Sequence, residues 1–245
     1  MRLLVSVRSG EEVEPALAGG AEIVDAKEPS LGSLGAVSPA TLREIARRVP
    51  AAVPLSVALG DPGSVAGVVE AIAAVDRAVD PRGELYVKLG LAGTSDPDAA
   101  RSLMAAAVAA AARAVSRPVV IAVAYADQEA AGAPDRHTVS RIAARVGVGG
   151  VLLDTFVKDG RDLFAHVGDG DLGAWVESAR QAGLLVALAG SLSAGGVRRA
   201  AGFSADILGV RGAACAGGRE GVLVEARVRT LRATLRGAPV VVRSL

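Results

Sequence analysis

Residues 85–125 read LYVKLGLAGTSDPDAARSLMAAAVAAAARAVSRPVVIAVAY. Two short β-rich runs, Leu85–Gly90 and Val119–Tyr125, flank an Ala/Arg-rich segment. That segment, Ala99–Val115, consists of strong helix formers, and Pro118 stops it before the second run. The unit is strand, helix, strand, and it recurs. Further runs stand at Leu3–Val7, Glu22–Lys27, Pro54–Leu59, Gly150–Thr155, Leu184–Gly190 and Ile207–Gly212, with starts separated by 19 to 34 residues along the series of eight. This beat fits one strand, one helix and two loops. The runs are almost continuously apolar, as strands buried on both faces should be. Ser38–Val49 is a further helix, with Ser38 as cap, Pro39 at the first helical position and Leu42, Ile45, Ala46 and Val49 on one face. Asp135–Val146, Leu172–Ala182 and Glu220–Leu235 repeat the theme. Eight βα units without a composition break predict an α/β fold, a single (β/α)8 TIM barrel over residues 1–245, with a doubly wound open sheet as the alternative.

Composition narrows the functional classes. The chain of 245 residues is 51% hydrophobic and 22% charged, with a net charge of +1, so no electrostatic argument for nucleic acid arises. Six aromatic residues supply no stacking platform for single strands. Cys215 is the only cysteine, which precludes an intramolecular disulfide and suits a reducing compartment; in RGAACAGG it reads as a small buried side chain. The start, Met1-Arg2 followed by LLVSV, has no export-signal pattern, and no apolar run of membrane-spanning length occurs. A cytoplasmic protein with no membrane or nucleic-acid partner is expected. A homo-oligomer is compatible with the sequence, which carries no signal of subunit number.

Lysine usage points to the chemistry. Of 27 basic residues only three are lysine: Lys27 in AEIVDAK, Lys88 in ELYVKLG and Lys158 in VLLDTFVKDG. All three close strand-like runs, at the ends of strands 2, 4 and 6. In a barrel that rim is where chemistry sits. Arginine stays protonated, whereas lysine can lose its proton and attack a carbonyl. Asp25 and Lys27 are two apart on one strand and leave the same face; Asp154 ends strand 6, with Lys158 four residues on. A lysine near pKa 10.4 is neutral in roughly one molecule in two thousand at pH 7. Neighbouring cations and partial burial bring it to roughly 7–8. One amine then forms an imine while another lysine or an aspartate moves protons. The bland alternative, a pair of rim ion bridges, is weakened by the rarity of aspartate in these strands.

Phosphate-handling barrels often grip the anion with the loops after strands 7 and 8. Here Gly190 and Ser191 follow strand 7, and Gly209, Arg211 and Gly212 stand at strand 8. Glycine admits backbone N–H groups to an anion, Ser191 offers a hydroxyl and Arg211 a fork. The Gly/Ser-rich loop Lys27–Ala36 is a candidate cover for the site. Metal binding is not expected: His137 and His166 are the only histidines, and neither falls on a strand end. Residues 168–173, GDGDLG, fit G-x-G-x-x-G, but no strand precedes them and two aspartates repel a pyrophosphate, so they read as a loop before a helix. No cofactor is expected.

The segments LLVSVRS, GGAEIVDAKEPSLGSLGA, YVKLG, AYAD, LLDTFVKDG, LALAGSL and GVRGAAC, in order from Leu3 to Cys215, resemble the (5-formylfuran-3-yl)methyl phosphate synthase family, also called 4-(hydroxymethyl)-2-furancarboxaldehyde-phosphate synthases. The resemblance implies a (β/α)8 lyase that condenses two molecules of glyceraldehyde 3-phosphate into a furan aldehyde phosphate, with loss of one phosphate and water, in a methanofuran-type pathway. It implies Lys27 as the Schiff-base lysine and matches Asp25, Lys88, Asp154 and Lys158 to the other active-site positions. Family members can carry a further lysine just before strand 5, where this chain reads Arg117-Pro118; arginine keeps a charge role there but not proton transfer. Two other readings stand beside this one: a different class I Schiff-base aldolase for phosphorylated aldehydes, and a non-catalytic phosphometabolite-binding barrel.

Overall fold

The computed structural model describes residues 1–81 and 83–237; the rest of the expected domain, residue 82 and residues 238–245, lies outside the described residues. Eight parallel strands close into a barrel in the order β1 to β8. They are β1 (Arg2–Val7), β2 (Ile23–Ala26), β3 (Leu55–Ala58), β4 (Leu85–Leu89), β5 (Val119–Tyr125), β6 (Gly150–Asp154), β7 (Leu185–Leu188) and β8 (Ile207–Val210). Strand β8 returns to β1, pairing Leu3 with Leu208 and Val5 with Val210. Outside run α1 (Val13–Ala18), α2 (Pro39–Arg48), α3 (Val65–Ala78), α4 (Pro97–Arg113), a short α5 (Gln128–Ala131), α6 (Arg136–Val146), α7 (Asp169–Gln181), α8 (Ala194–Ala200) and α9 (Glu225–Gly237). The open-sheet alternative is thereby excluded. Among the described residues no helix is long and apolar enough to cross a membrane.

The double burial read from the strands resolves into two cores. One face of each strand, with residues such as Val5, Val24, Val87, Ala124 and Leu153, packs on the helices. The other fills the barrel with Leu4, Ile23, Tyr86, Ile121, Leu152 and Ile207. Period-two alternation sends Ile23 inward, so Asp25 follows it inward on the same face. Ser38 caps α2 by accepting the Thr41 N–H at 3.1 Å, a contact that stabilises a helix end by about 1 kcal/mol. Asp96 and Asp135 cap α4 and α6 in the same way.

Most strands end a residue or two short of the runs read from the sequence, and three differences matter more. Lys27 lies one residue beyond β2. Helix α7 starts at Asp169, so GDGDLG is its first turn and not a preceding loop. Asp169 and Asp171 complement the positive end of the helix there. The segment read as the last helix, from Glu220, opens instead on β10 (Val222–Leu223), which pairs with β9 (Cys215–Ala216) in a small antiparallel hairpin ahead of α9. Its turn needs glycine: Gly217 and Gly218 have φ of +82° and +80°, and a Cβ on Gly221 would lie 1.8 Å from the Ala216 carbonyl oxygen.

Candidate active site

The five charged residues singled out on strands 2, 4 and 6 converge at the C-terminal mouth of the barrel, around a cavity of about 440 Å³. That volume lies in the usual range for small-molecule sites, roughly 300–1,000 Å³. Asp25, Lys27, Lys88, Asp154 and Lys158 all line it.

Two of the three lysines are committed to carboxylates. Lys88 Nζ donates to Asp25 Oδ2 at 2.7 Å and stands 2.7 Å from Oδ1. To reach β2 from β4 it must cross β3, whose residues beside Asp25 and Lys88 are the small Ser56 and Ala58. Ser6 Oγ donates to the same Oδ2 at 2.7 Å. Asp25 Oδ1 is fully buried without a hydrogen bond, its contact with the ammonium being an ion pair only. Lys158 Nζ finds three acceptors: Asp154 Oδ1 at 2.9 Å, the Thr155 carbonyl at 2.6 Å and Thr155 Oγ1 at 3.0 Å. An ammonium has three protons, so this lysine is saturated.

Lys27 is different. Its amine makes no hydrogen bond or ion pair among the described residues, although the side chain is only 9% exposed. Burial pushes its pKa down to about 8; Lys88 and Lys158 push the same way, against the opposing pull of Asp154 and Asp25. Burial opposes ionisation of Asp25, yet Lys88 and Lys27, with the bonds from Lys88 and Ser6, hold it below the usual carboxylate range. For Asp154, burial is likewise outweighed by Lys158, Lys27 and the Thr155 N–H. The result is two ionised carboxylates, two paired ammoniums and one unpaired amine able to shed its proton near neutrality. Such an amine can add to a carbonyl, with the carboxylates at hand for proton movement.

The loops after strands 7 and 8 meet expectation in part. Gly190, Ser191, Gly209, Arg211 and Gly212 all border the cavity. Gly190 and Ser191 have φ of +110° and +51°. The backbone N–H groups of Ser191 and Leu192 donate to no other residue among the described residues. Arg211 departs from the expected anion fork. Its five N–H donors are spent on the Arg219, Ser6 and Gly221 carbonyls and on both oxygens of Glu12, at 2.5 and 3.0 Å. It is a strut that ties the hairpin to the barrel. Arg117 is exposed before the first residue of β5, at the opposite end of the barrel from the cavity. It therefore has no part in this site. The loop after Lys27 folds on itself through a Glu28 N–H bond to the Gly35 carbonyl at 2.8 Å. It buries Leu34 among the inner-core residues.

Three contributors escaped the sequence reading. Ser6 supports Asp25. Asp127 accepts the Phe156 and Val157 N–H groups at 2.6 and 2.8 Å and so fixes the loop carrying Lys158. Arg219, in the hairpin turn, lines the cavity, and among the described residues its guanidinium makes a single hydrogen bond, to the Gly32 carbonyl at 2.8 Å. Asp127 lies in the AYAD segment, but its target, a loop thirty residues on, is fixed only by the fold. His137 is exposed in the first turn of α6, and His166 follows a short 3₁₀ turn; neither reaches the cavity.

Comparison with known proteins bears on the fold and the family. Solved structures show the fold: 3-hexulose-6-phosphate synthase from Salmonella typhimurium matches 98% of this chain and all of its own, with TM-score 0.67 at 16% identity. Phosphoribosyl anthranilate isomerase from Thermus thermophilus matches over the same shares, with TM-score 0.61 at 16% identity. At the sequence level the chain is 40% identical over 226 residues to the (5-formylfuran-3-yl)methyl phosphate synthase of Methanopyrus kandleri, covering 87% of this chain and 89% of that one. It is 39% identical over 221 residues to the enzyme of the same name from Methanothermobacter thermautotrophicus, covering 89% and 91%. The family model described as 4-HFC-P synthase matches residues 3–232, nearly the whole barrel with every lysine and aspartate of its mouth, and the chain belongs to that family.

Proposed function

We propose that this protein is a lyase that condenses two molecules of glyceraldehyde 3-phosphate into (5-formylfuran-3-yl)methyl phosphate through an imine on Lys27. The observation that carries the reading is the contrast among the lysines: Lys88 and Lys158 are paired, while Lys27 alone presents a buried, unpaired amine with its pKa near 8. At pH 7 such an amine is neutral in about one molecule in eleven, against about one in three thousand for a lysine at the ordinary value of 10.5.

The stoichiometry balances. Two triose phosphates, C3H7O6P each, less one H3PO4 and two H2O give C6H7O6P, the furan aldehyde phosphate. One triose isomerises to the ketone, while Lys27 Nζ adds to the aldehyde carbon of the other and the carbinolamine loses water to give the iminium. A carboxylate removes the proton from the adjacent carbon, and the resulting enamine expels phosphate from the third carbon, leaving an iminium conjugated to an enol. The terminal carbon of that enol forms the C–C bond to the ketone carbon of the second triose, which gives the branched six-carbon skeleton the furan requires. The hydroxymethyl oxygen of the second triose closes the ring on the new carbonyl carbon, loss of two waters makes the ring aromatic, and hydrolysis of the iminium frees Lys27 and the aldehyde. Asp25 and Asp154 are the proton acceptors, and Lys88 and Lys158 keep both ionised and return protons to leaving oxygens. The free N–H groups of Ser191 and Leu192 support a phosphate subsite beside Gly190 and Gly212.

The test is borohydride trapping with glyceraldehyde 3-phosphate, followed by peptide mass analysis. An adduct on Lys27 that disappears in Lys27→Ala is expected, together with about one phosphate released per furan formed in the unmodified enzyme. An adduct persisting in Lys27→Ala moves the imine to another lysine. Trapping without phosphate release favours a different Schiff-base aldolase.

A further inference from the structure

The two arginines of the β8–α9 connection divide their work unequally. Arg211 has no donor left, as its guanidinium is fully engaged by Glu12 and three carbonyls. The same contacts grip the hairpin turn: Arg211 holds the Arg219 and Gly221 carbonyls at 2.9 Å each, and Arg8 holds the Glu220 carbonyl at 2.8 Å. The backbone of Arg219 is therefore fixed, with its nitrogen beside Gly212 at the cavity edge. Among the described residues its guanidinium donates one hydrogen bond, to the Gly32 carbonyl. It has no carboxylate within ion-pairing distance among the described residues. A guanidinium offers five N–H donors, so most of this one's capacity is unspent. It is also half-buried, and desolvation, with the neighbouring Arg211 cation, lowers its pKa against the attraction of Asp154 and Glu220. A pinned, partly desolvated cation with spare donors facing a cavity is a site for an anion that arrives with the ligand.

We infer that Arg219 is the specificity-determining group for a phosphate monoester, clamping it from the hairpin side of the cavity opposite the Ser191–Leu192 backbone. This rests on the proposed function for the identity of the phosphate ester, and it gives the anion fork to Arg219 instead of Arg211. Arg211 becomes the positioning residue that aims it.

The experiment is titration calorimetry of the folded protein with inorganic phosphate, comparing the unaltered chain with Arg219→Ala and Arg219→Lys. Affinity is expected to fall about 10- to 100-fold in Arg219→Ala, the loss of one or two charged hydrogen bonds, and less in Arg219→Lys. The unliganded melting temperature should stay put, since the side chain makes one surface bond. In parallel, the ratio of half-saturating concentrations for imine trapping by unphosphorylated glyceraldehyde and by glyceraldehyde 3-phosphate should shrink by a similar factor. Unchanged phosphate affinity in folded Arg219→Ala, or no phosphate binding by the unaltered chain, overturns the inference. If phosphate binding depends on Arg219 but no imine is trapped, the clamp stands and the synthase reading falls.

Discussion

The depressed pKa of Lys27 can be moved in both directions by neutralising its neighbours. In the folded protein Lys27 titrates near pH 8; Lys88 pushes it down, and Asp154 is the strongest charge pulling it up. Its neutral fraction at pH 7 is then about 300 times that of an ordinary lysine; raising the midpoint by about one pH unit cuts that fraction about ninefold, and lowering it by about one raises it about fivefold. Lys88→Met removes a repelling cation and also releases Asp25, whose carboxylate then attracts Lys27; both effects raise the pKa above 8. Asp154→Asn removes the main attraction and lowers it below 8. The assay is competitive acetylation with a small labelled reagent across pH 6–11, read peptide by peptide, so that each lysine yields its own titration midpoint. Imine formation should follow Lys27, rising about tenfold per pH unit below the midpoint and flattening above it. Lys88→Met strands a buried carboxylate, so circular dichroism must show it folded. If it is not, the Asp25→Asn/Lys88→Met double variant restores neutrality, and its midpoint should stay closer to 8. A Lys27 midpoint near 10.5, or displacements of the same sign in Lys88→Met and Asp154→Asn, refutes the electrostatic reasoning.

Three other outcomes are expected. A lysine whose folded pKa is lowered from 10.5 to about 8 costs stability below pH 8, where both states are protonated, and the cost fades as pH rises through 8–10.5. Lys27→Met should therefore be inactive yet more stable at pH 7, by at most about 3 kcal/mol because the amine still touches the cavity, read as a raised melting temperature; a lowered one contradicts the assignment. Arg211→Ala should lose up to about 3 kcal/mol by leaving buried Glu12 with only the longer 3.8 Å ion pair to Arg8 and the Arg8 backbone N–H, and Glu12→Gln on top of it should recover part of that loss in urea unfolding. Asp127→Ala should speed hydrogen exchange at Phe156 and Val157 and lower kcat, with the exchange confined to the Lys158 loop; unchanged exchange there removes its positioning role.

The barrel was legible because each strand is buried twice. Val24 packs on helices and Ile23 inside the barrel, so the runs read as unbroken apolar stretches at a regular spacing. The charged site was legible for the same reason: Asp25, Lys88 and Asp154 stand out against apolar strands, and strand ends fix their rim. The hairpin at Cys215–Leu223 was not, since its two-residue strands hold no alternation to read. Arg211 and Arg219 illustrate a second limit. From sequence, the arginine nearest strand 8 is the better phosphate fork. Only the fold brings Glu12, 199 positions away, onto that guanidinium and leaves Arg219 with donors to spare.

The number of charges at the mouth is itself the device. Three lysines and two aspartates share a small space at the mouth, so one-to-one pairing is impossible. Charges taken from water are costly unless paired and hydrogen-bonded. Lys88 and Lys158 take the two carboxylates at 2.7 and 2.9 Å, and Lys158 adds two further acceptors. The remaining cation can lower its free energy only by losing its proton, and Lys27 occupies that place. With a third carboxylate in reach, Lys27 would be an ordinary buried ammonium and a poor nucleophile. With one fewer lysine, a buried aspartate would lack a partner and draw Lys27 into an ion pair. The same count explains why arginine, abundant everywhere else in the chain, is absent from these three positions. A guanidinium in Lys27's place would keep its charge and its desolvation cost, with no amine to offer a carbonyl.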